Sequence, residues 1–144
     1  MGLFKKATPA PAVQDLSGLN LAELSDAHYD ADQKVKLAGL QHYQDLLRAG
    51  LKSLPREHRA KGWAVVNAVV IPEPDNPHDP DAIRVVIGGH TIGYIFKDAQ
   101  ASFRPPAGFD GWMIGALLTF SKGGGKDTYV KVQLAAHPDV TVEA

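Results

Sequence analysis

Proline and acidic residues dominate one short segment, Pro72-Glu-Pro-Asp-Asn-Pro-His-Asp-Pro80. Each proline fixes its own φ angle and keeps the residue before it extended. Asn76 and Asp79 both precede a proline, so a stiff backbone presents their side chains, and ordering them around a ligand costs little entropy. Both residue types also bond neighbouring backbone in turns, and spacing alone favours that structural role. We therefore predict a rigid loop, shaped by Asn76 and Pro77, that either only turns the chain or also binds a ligand.

Acidic side chains in and beside this segment could in principle form a metal-binding site. Their spacing does not match a calcium loop, which needs a glycine after the third ligand and a distant glutamate. Extended, proline-locked backbone also cannot wrap around a cation, and the 6 histidines form no His-x-x-x-His pair. No metal and no other cofactor is predicted. The enzymatic alternative is a Mg²⁺-dependent nuclease built on Glu73, Asp75 and Asp79.

Residues that could act as a catalytic nucleophile lack the surroundings that this role requires. The chain has no cysteine, and its serines stand in no nucleophile-elbow pattern. The segment Ser121-Lys-Gly-Gly-Gly-Lys126 is rich in glycine and lysine, but it lacks the Gly-Lys-Ser/Thr that ends a phosphate-binding P-loop. We therefore expect a protein without enzymatic activity and interpret this segment as a basic hairpin tip.

Basic residues cluster in two parts of the chain, although the formal net charge is only −1. A solvated helix face is the ordinary explanation for such clusters. Aromatic rings among basic side chains also suit single-stranded nucleic acid, and Tyr43, Phe120 and Tyr129 lie near the clusters in sequence. The candidate phosphate contacts are Arg48, Lys52, Arg59, Lys61, Lys122 and Lys126.

Length and composition restrict the class of protein. With 144 residues, of which 44% are hydrophobic and 22% charged, the chain suits one globular domain and a tail. The lack of cysteine excludes disulfides and cysteine-ligated metals. The 14 glycines and 10 prolines favour turns and β-structure. Because the first residues lack a signal-peptide pattern and no apolar run approaches the ~20 residues of a membrane span, we expect a soluble, cytoplasmic protein.

Hydrophobic patterns predict the elements that must position these side chains. A first strand over 35–40 precedes a helix over 43–54 that Pro55 ends. A glycine pair at 88–89 predicts a two-residue hairpin turn, and Gly115 predicts a bulge or bend. The other predicted strands are 63–71, 83–87, 90–95, 112–120 and 129–134, with a short helix over 97–103. Six strands and two short helices indicate a mainly β, largely antiparallel sheet that closes or nearly closes into a barrel.

One stretch of the sequence closely resembles the HIRAN domain family. It runs Val69-Val-Ile-Pro-Glu-Pro-Asp-Asn-Pro-His-Asp-Pro-Asp-Ala-Ile-Arg-Val85, followed by Gly89 and Ile92-Gly-Tyr-Ile95. The family has an apolar strand, an Asn-Pro-x-Asp-x-x-Ala turn, a second apolar strand and a Val/Ile-Gly-His/Tyr-Leu/Ile strand in this order. Upstream, Gly39-Leu-Gln-His-Tyr43 is similar to the end of the family's first strand. The resemblance implies an OB-like, six-stranded β-barrel.

The resemblance also implies a ligand. In eukaryotic translocases that remodel stalled replication forks, the HIRAN domain binds single-stranded DNA and captures its free 3′ end. The family's aspartate that takes the terminal 3′-hydroxyl falls on Asp79, and its aromatic neighbour falls on His78. The lysine after the Gly-His/Tyr strand falls on Lys97, and the aromatic of the last hairpin falls on Phe120 or Tyr129.

The end of the first strand departs from the family's pattern. Gln41 and His42 stand where the translocases have an arginine and a tyrosine, and Tyr43 matches a following tyrosine. Glutamine does not supply the arginine's charge, and the rings of His42 and His78 are smaller stacking surfaces than tyrosine. These departures favour the alternative function, a protein-interaction or structural module that has lost DNA binding.

We expect a DNA-binding module that recognises single-stranded DNA, and its 3′ end in particular, in repair or replication-fork processing. A helicase, a translocase or another repair protein is the expected protein partner, since the chain has no ATPase motif; no membrane contact is expected. The expected domains are a flexible N-terminal extension over 1–33, a barrel domain over 34–136 and a C-terminal tail over 137–144. Leucines within 16–28 predict a turn of helix that docks on the barrel or binds a partner.

Overall fold

Strands dominate the computed structural model, which describes residues 35–106, 108–125 and 127–134 and the backbone of 140–143. The predicted extension over 1–33 lies outside these residues. The strands are β1 (Val35–Ala38), β2 (Trp63–Pro72), β3 (Ile83–Ile87), β4 (His90–Ile95), β5 (Phe109–Thr119), β6 (Lys131–Leu134) and β7 (Val140–Glu143). The helices are α1 (Gln44–Gly50), α2 (Arg56–Lys61) and α3 (Gln100–Phe103), with 3₁₀ turns at Leu40–Tyr43, Leu51–Ser53 and Lys97–Ala99. No helix within the described ranges has the length and apolar character needed to cross a membrane.

Strands β1 to β6 form a closed antiparallel barrel in the order β2-β3-β4-β1-β6-β5, and the pairing of β5 with β2 closes it. The β2–β5 ladder is long and runs from Trp63 opposite Thr119 to Val70 opposite Trp112. Strands β3 and β4 form the predicted hairpin, whose turn residues Gly88 and Gly89 have φ angles of 60° and 86°. Left-handed backbone at both positions matches the right-handed twist of the strands. The prediction of a mainly β, six-stranded antiparallel barrel is confirmed.

Alternate side chains of the strands fill the interior of the barrel. Every second residue of β2 from Ala64 to Val70 is buried, as expected for a strand with one face on a core. Leu47 of α1 and Leu51 of the following 3₁₀ turn belong to the same hydrophobic cluster. The helical segment between β1 and β2 is therefore anchored to the core of the barrel.

Three local features differ from what the sequence predicts. The bulge prediction for Gly115 is wrong, because this residue pairs in register with Asn67 and the register shift of β5 lies between Phe109 and Gly111. Pro55 ends one helical segment but is also the N-cap of α2, which was not predicted. The predicted tail over 137–144 contains β7. Strand β5 extends beyond its pairing with β6, and β7 covers this otherwise unpaired edge.

Candidate nucleic-acid interface

The proline-rich loop, residues 73–82, joins β2 to β3 and is closed by its own backbone hydrogen bonds. The amide of Glu73 donates to the carbonyl of Ala82 at 2.8 Å across the base of the loop. Within it, the amide of Asn76 donates to the carbonyl of Glu73 at 3.0 Å, and the amide of Ala82 donates to the carbonyl of Asp79 at 3.0 Å. These bonds fix the backbone in both halves of the loop, so the side chains of the loop project from defined backbone positions.

The side chain of Asn76 ties the two halves of this loop together. Its Oδ1 accepts hydrogen bonds from the backbone amides of His78 at 2.8 Å and Asp79 at 3.1 Å. Its Nδ2 donates to Oε1 of Glu73 at 2.9 Å. Pro77 has no amide hydrogen and therefore does not compete for the Asn76 oxygen. The loop is thus held in shape by a side chain as well as by its backbone.

We expect Asn76→Ala to lower the free energy of unfolding by about 1–3 kcal/mol, because the amides of His78 and Asp79 lose their acceptor. Urea denaturation followed by circular dichroism measures the change. Asp75→Ala is the matched control, since Asp75 is exposed in the same loop and surface substitutions usually stay within about 0.5 kcal/mol. Wild-type stability of Asn76→Ala would contradict the role of these two hydrogen bonds in holding the loop.

Glu73 connects the loop to β3 and β4. Its Oε2 accepts a hydrogen bond from the Tyr94 hydroxyl at 3.3 Å, and Nε of Arg84 lies 3.6 Å from the same oxygen. Burial raises the pKa of Tyr94, and the charge on Glu73 and the neighbouring Tyr43 raise it further. Tyr94 is therefore protonated near neutral pH and remains a hydrogen-bond donor to Glu73.

Asp79 is half-buried, and two protein groups donate to its carboxylate. Nε2 of Gln100 donates to Oδ2 at 3.1 Å, and the amide of Asp81 donates to Oδ1 at 2.9 Å. The bond from Gln100 lowers the pKa of Asp79 most, the Asp81 amide comes next, and the charges of Lys97 and Arg104 add to the effect. Because an ionised carboxylate can accept about four hydrogen bonds, Asp79 keeps the capacity to accept more from a ligand.

A cavity of about 410 Å³ brings Asp79 together with residues from other parts of the chain. His78 and Asp79 line this cavity from the proline-rich loop, and Lys97 lines it from the 3₁₀ turn after β4. Three predicted DNA contacts therefore share one surface with the predicted loop residue Asn76, and we call this surface the Asp79 pocket. The other residues of its lining are Ala38, Ala82, Tyr94, Ile95, Phe96 and Gln100.

Phe96 and Gln100 are among the residues of the Asp79 pocket that were not predicted as site residues. Phe96 is 48% exposed and lies between this pocket and an adjoining cavity of about 580 Å³. An apolar residue at the end of a strand is ordinarily expected in the core, although its place beside Lys97 is a weak signal for a nucleic-acid contact. Gln100 is 8% exposed, and nothing in its sequence surroundings distinguishes it from a polar helix residue.

The predicted site residues Gln41, His42 and Tyr43 lie beyond the Asp79 pocket and not in its lining. Gly39, with a φ of 76°, turns the chain out of β1 in a left-handed conformation that glycine adopts without strain. The 3₁₀ turn that follows exposes Gln41 and His42 and packs Tyr43 partly against the core. Ala38, at the end of β1, lines the pocket. Gln41, His42 and Tyr43 come only a few residues after Ala38 in the sequence.

Gln44 links the helical segment after β1 to the chain that carries Tyr129. Its Nε2 donates to the carbonyls of Leu40 at 3.3 Å and Val130 at 2.9 Å, and its Oε1 accepts from the Val130 amide at 2.8 Å. All of these bonds are buried. Tyr129, directly before Val130, is 49% exposed. The 3₁₀ turn over 40–43 and Tyr129 are therefore held on the same side of the barrel.

Phe120 has different surroundings from Tyr129. It follows β5, its amide donates to the carbonyl of Gly62 at 2.9 Å, and its side chain packs partly against the core. Of the two aromatic residues predicted on the last hairpin, Tyr129 is thus the one with more ring surface available to a ligand.

The predicted phosphate contacts differ in how far they are engaged within the chain. The guanidinium of Arg48 lies 2.7 Å from Oδ1 of Asp45 and donates to the Thr128 carbonyl at 3.2 Å, so part of its charge is neutralised and its position is held. Nε of Arg59 is buried and makes no hydrogen bond within the part of the chain that the structure describes. Lys126 lies outside the described residues. The exposed candidates are Lys52, Lys61 and Lys122.

The acidic side chains of the proline-rich loop do not gather into a set of metal ligands. Over the described ranges, no group of three or more His, Cys, Asp or Glu side chains could hold a metal ion. Glu73 is engaged by Asn76, Tyr94 and Arg84. The nuclease alternative on Glu73, Asp75 and Asp79 therefore receives no support from the geometry.

Comparison of the chain with protein-family models, with curated proteins and with solved structures gives no match. The HIRAN resemblance therefore rests on the sequence motif and stays a prediction. The grouping of His78, Asp79 and Lys97 in one pocket is independent of that resemblance, because it follows from the contacts of this chain.

Proposed function

We propose that the protein binds single-stranded DNA at its 3′ end, that the Asp79 pocket receives the terminal nucleotide, and that the protein has no catalytic activity. The observation that carries the proposal is the composition of this pocket. An ionised carboxylate, a lysine and an exposed aromatic ring border one cavity of about 410 Å³. This volume lies within the ~300–1,000 Å³ of small-ligand sites.

A carboxylate in a DNA site favours groups that donate hydrogen bonds. It repels phosphate, but it accepts a hydrogen bond from a hydroxyl group or from an exocyclic amine of a base. Internal nucleotides of DNA have no sugar hydroxyl, whereas a 3′ terminus has one with no phosphate attached. Asp79 on its stiffened loop is therefore chemically suited to the capture of a 3′ end.

The other residues of the pocket suit the remaining parts of a terminal nucleotide. Lys97 supplies positive charge for the phosphate on the 5′ side of the terminal sugar. The exposed ring of Phe96 offers a stacking face to a base, as does the smaller ring of His78. Gln41, His42 and Tyr129 lie beyond the pocket and would contact nucleotides further from the end.

The test of this function compares two labelled strands of one sequence, one ending in a 3′-hydroxyl and the other in a 3′-phosphate. We expect the hydroxyl strand to bind about tenfold more tightly. Equal affinities would contradict capture of the 3′ end. If neither strand binds, the protein-interaction or structural alternative takes its place, and a helicase, translocase or other repair protein becomes the first partner to examine.

Salt dependence provides a separate prediction. If exposed lysines such as Lys52 and Lys97 contribute to contacts with about three phosphates, log affinity should fall against log salt with a slope of roughly −2, at ~−0.7 per contact on single strands. Anisotropy titrations over a series of KCl concentrations measure the slope. Lys97→Gln should make it shallower by about 0.7. A flat dependence in the wild type would contradict the phosphate contacts.

A further inference from the structure

We propose that the bound strand makes a second stacking contact on Trp63, at the start of β2, so that long single strands bind more tightly than short ones. This inference rests on the proposed function, because it concerns the same ligand. The contact surface consists of Trp63 with His58, Lys61 and Lys122, and we call it the Trp63 patch.

Trp63 presents an aromatic ring that the core does not use. Its side chain is 42% exposed. The ring of His58 meets it edge-on, with 6.0 Å between the centroids and 83° between the planes, and Nζ of Lys61 lies 4.8 Å from the ring centroid. Both neighbours are polar, so neither buries the ring as a packed interior would. Trp63 also lies outside the hydrophobic core cluster of the described residues, so much of its ring remains accessible to a ligand.

Further positive charge is held beside Gly62, the residue before Trp63, by backbone bonds. The amide of Phe120 donates to the carbonyl of Gly62 at 2.9 Å, and the amide of Gly123 donates to the carbonyl of Arg59 at 2.7 Å. These bonds fasten the segment after β5 to the end of α2. Lys122 consequently lies against Gly62, so close that a Cβ at the glycine would be 3.4 Å from Cγ of the lysine.

Single-stranded DNA matches this surface because it combines flat rings with a regular row of negative charges. A base that stacks on Trp63 displaces the Lys61 ammonium from the ring, and that ammonium then pairs with the adjacent phosphate. An acidic peptide would satisfy the lysines but would offer no row of rings to the tryptophan. DNA is therefore the occupant that uses both properties of the patch.

The Trp63 patch and the Asp79 pocket lie at opposite ends of β2. Trp63 is the first residue of that strand, and the proline-rich loop begins directly after Pro72, its last. At ~3.3 Å per residue the strand spans up to about 30 Å. A strand of about 3 nucleotides is too short to bridge this distance, whereas one of about 15 nucleotides bridges it even when its bases stay stacked at ~3.4 Å.

The experiment measures the affinity of Trp63→Ala for strands of about 3 and about 15 nucleotides, both with a 3′-hydroxyl. We expect at least a fivefold loss (about 1 kcal/mol) for the long strand. The short strand, which reaches only the Asp79 pocket, should keep its affinity within about twofold. Trp63→Phe retains a ring and should recover most of the loss. Thermal unfolding checks that the exposed substitution leaves the barrel intact.

Fluorescence supplies a readout that a merely structural tryptophan would not give. The chain has 2 tryptophans, so Trp112→Phe leaves Trp63 as the only one. The long strand should quench its emission and the short strand should not.

An unchanged long-strand affinity in Trp63→Ala would overturn the proposal, as would quenching by polyglutamate but not by DNA. Failure of the proposed function gives a different result from failure of this proposal. The wild type then shows no preference for the 3′-hydroxyl strand, while Trp63→Ala still lowers the affinity for the long strand.

Discussion

Asp79→Asn is expected to weaken binding of a strand with a 3′-hydroxyl by about tenfold or more. Asparagine keeps the shape of the side chain and one acceptor oxygen, but it loses the charge that strengthens a hydrogen bond from a hydroxyl group. Anisotropy titration with 5′-labelled oligonucleotides measures the change. The expectation depends on Asp79 being ionised and still able to accept a bond beside those from Gln100 and Asp81.

The strand with a 3′-phosphate is the matched control for this substitution. Asp79→Asn should leave its affinity unchanged or raise it, because the substitution removes repulsion between two negative charges. A loss of similar size for both strands would make Asp79 a turn residue that acts through its bond from the Asp81 amide. The opposite response of the two ends is therefore what distinguishes capture of the hydroxyl from general damage to the loop.

The same carboxylate makes binding of the hydroxyl strand depend on pH in a defined direction. Because the pKa of Asp79 is lowered, the charged acceptor persists below the pH at which an ordinary aspartate is half protonated. Affinity should fall only as the pH drops through this lowered pKa. Gln100→Ala removes the largest cause of the shift, so in that variant the loss should begin at a higher pH.

Gln44→Ala is expected to lower the free energy of unfolding by about 3 kcal/mol, since it leaves buried backbone groups without partners. Gln44 is 7% exposed. Its side chain bonds both the amide and the carbonyl of Val130 as well as the carbonyl of Leu40. Urea denaturation measures the loss.

Gln41→Ala is the control for this substitution, because it removes the same side chain from an exposed position in the preceding 3₁₀ turn. Its stability should stay within about 0.5 kcal/mol of the wild type. A small and equal effect of both substitutions would contradict the role of Gln44 as the link between the first helical segment and the chain before β6.

Much of the barrel could be predicted because its strands carry local signals. The alternating pattern around Val66 and Val70, and the glycine pair at 88–89, act through side-chain direction and backbone freedom over a few residues. Features that depend on neighbours distant in sequence were missed. Strand β7 pairs because β5 extends beyond β6, and Gly115 stays regular because Asn67 lies opposite it.

In the candidate site, too, the features with a local signal could be predicted and those that depend on distant residues could not. The stiffness of the proline-rich loop and the turn role of Asn76 follow from residue types next to each other in sequence. The donor that Gln100 supplies to Asp79 comes from 21 residues away, and the bonds of Gln44 to Val130 span 86 residues. The sequence near each glutamine gives no signal for these hydrogen bonds, since the side-chain amide of either glutamine could form its hydrogen bonds equally well with water.

By itself, the sequence determined that a stiff loop would carry Asn76, His78 and Asp79, because proline restricts the backbone wherever the chain folds. Only the tertiary structure decided that Phe96 and Gln100 would border that loop, and that Arg48 would be engaged by Asp45 and Thr128. The physical reason is that the exposure and the ionisation of a side chain depend on the groups within a few ångströms of it. Closure of the barrel decides which groups these are, and many of them are distant in sequence.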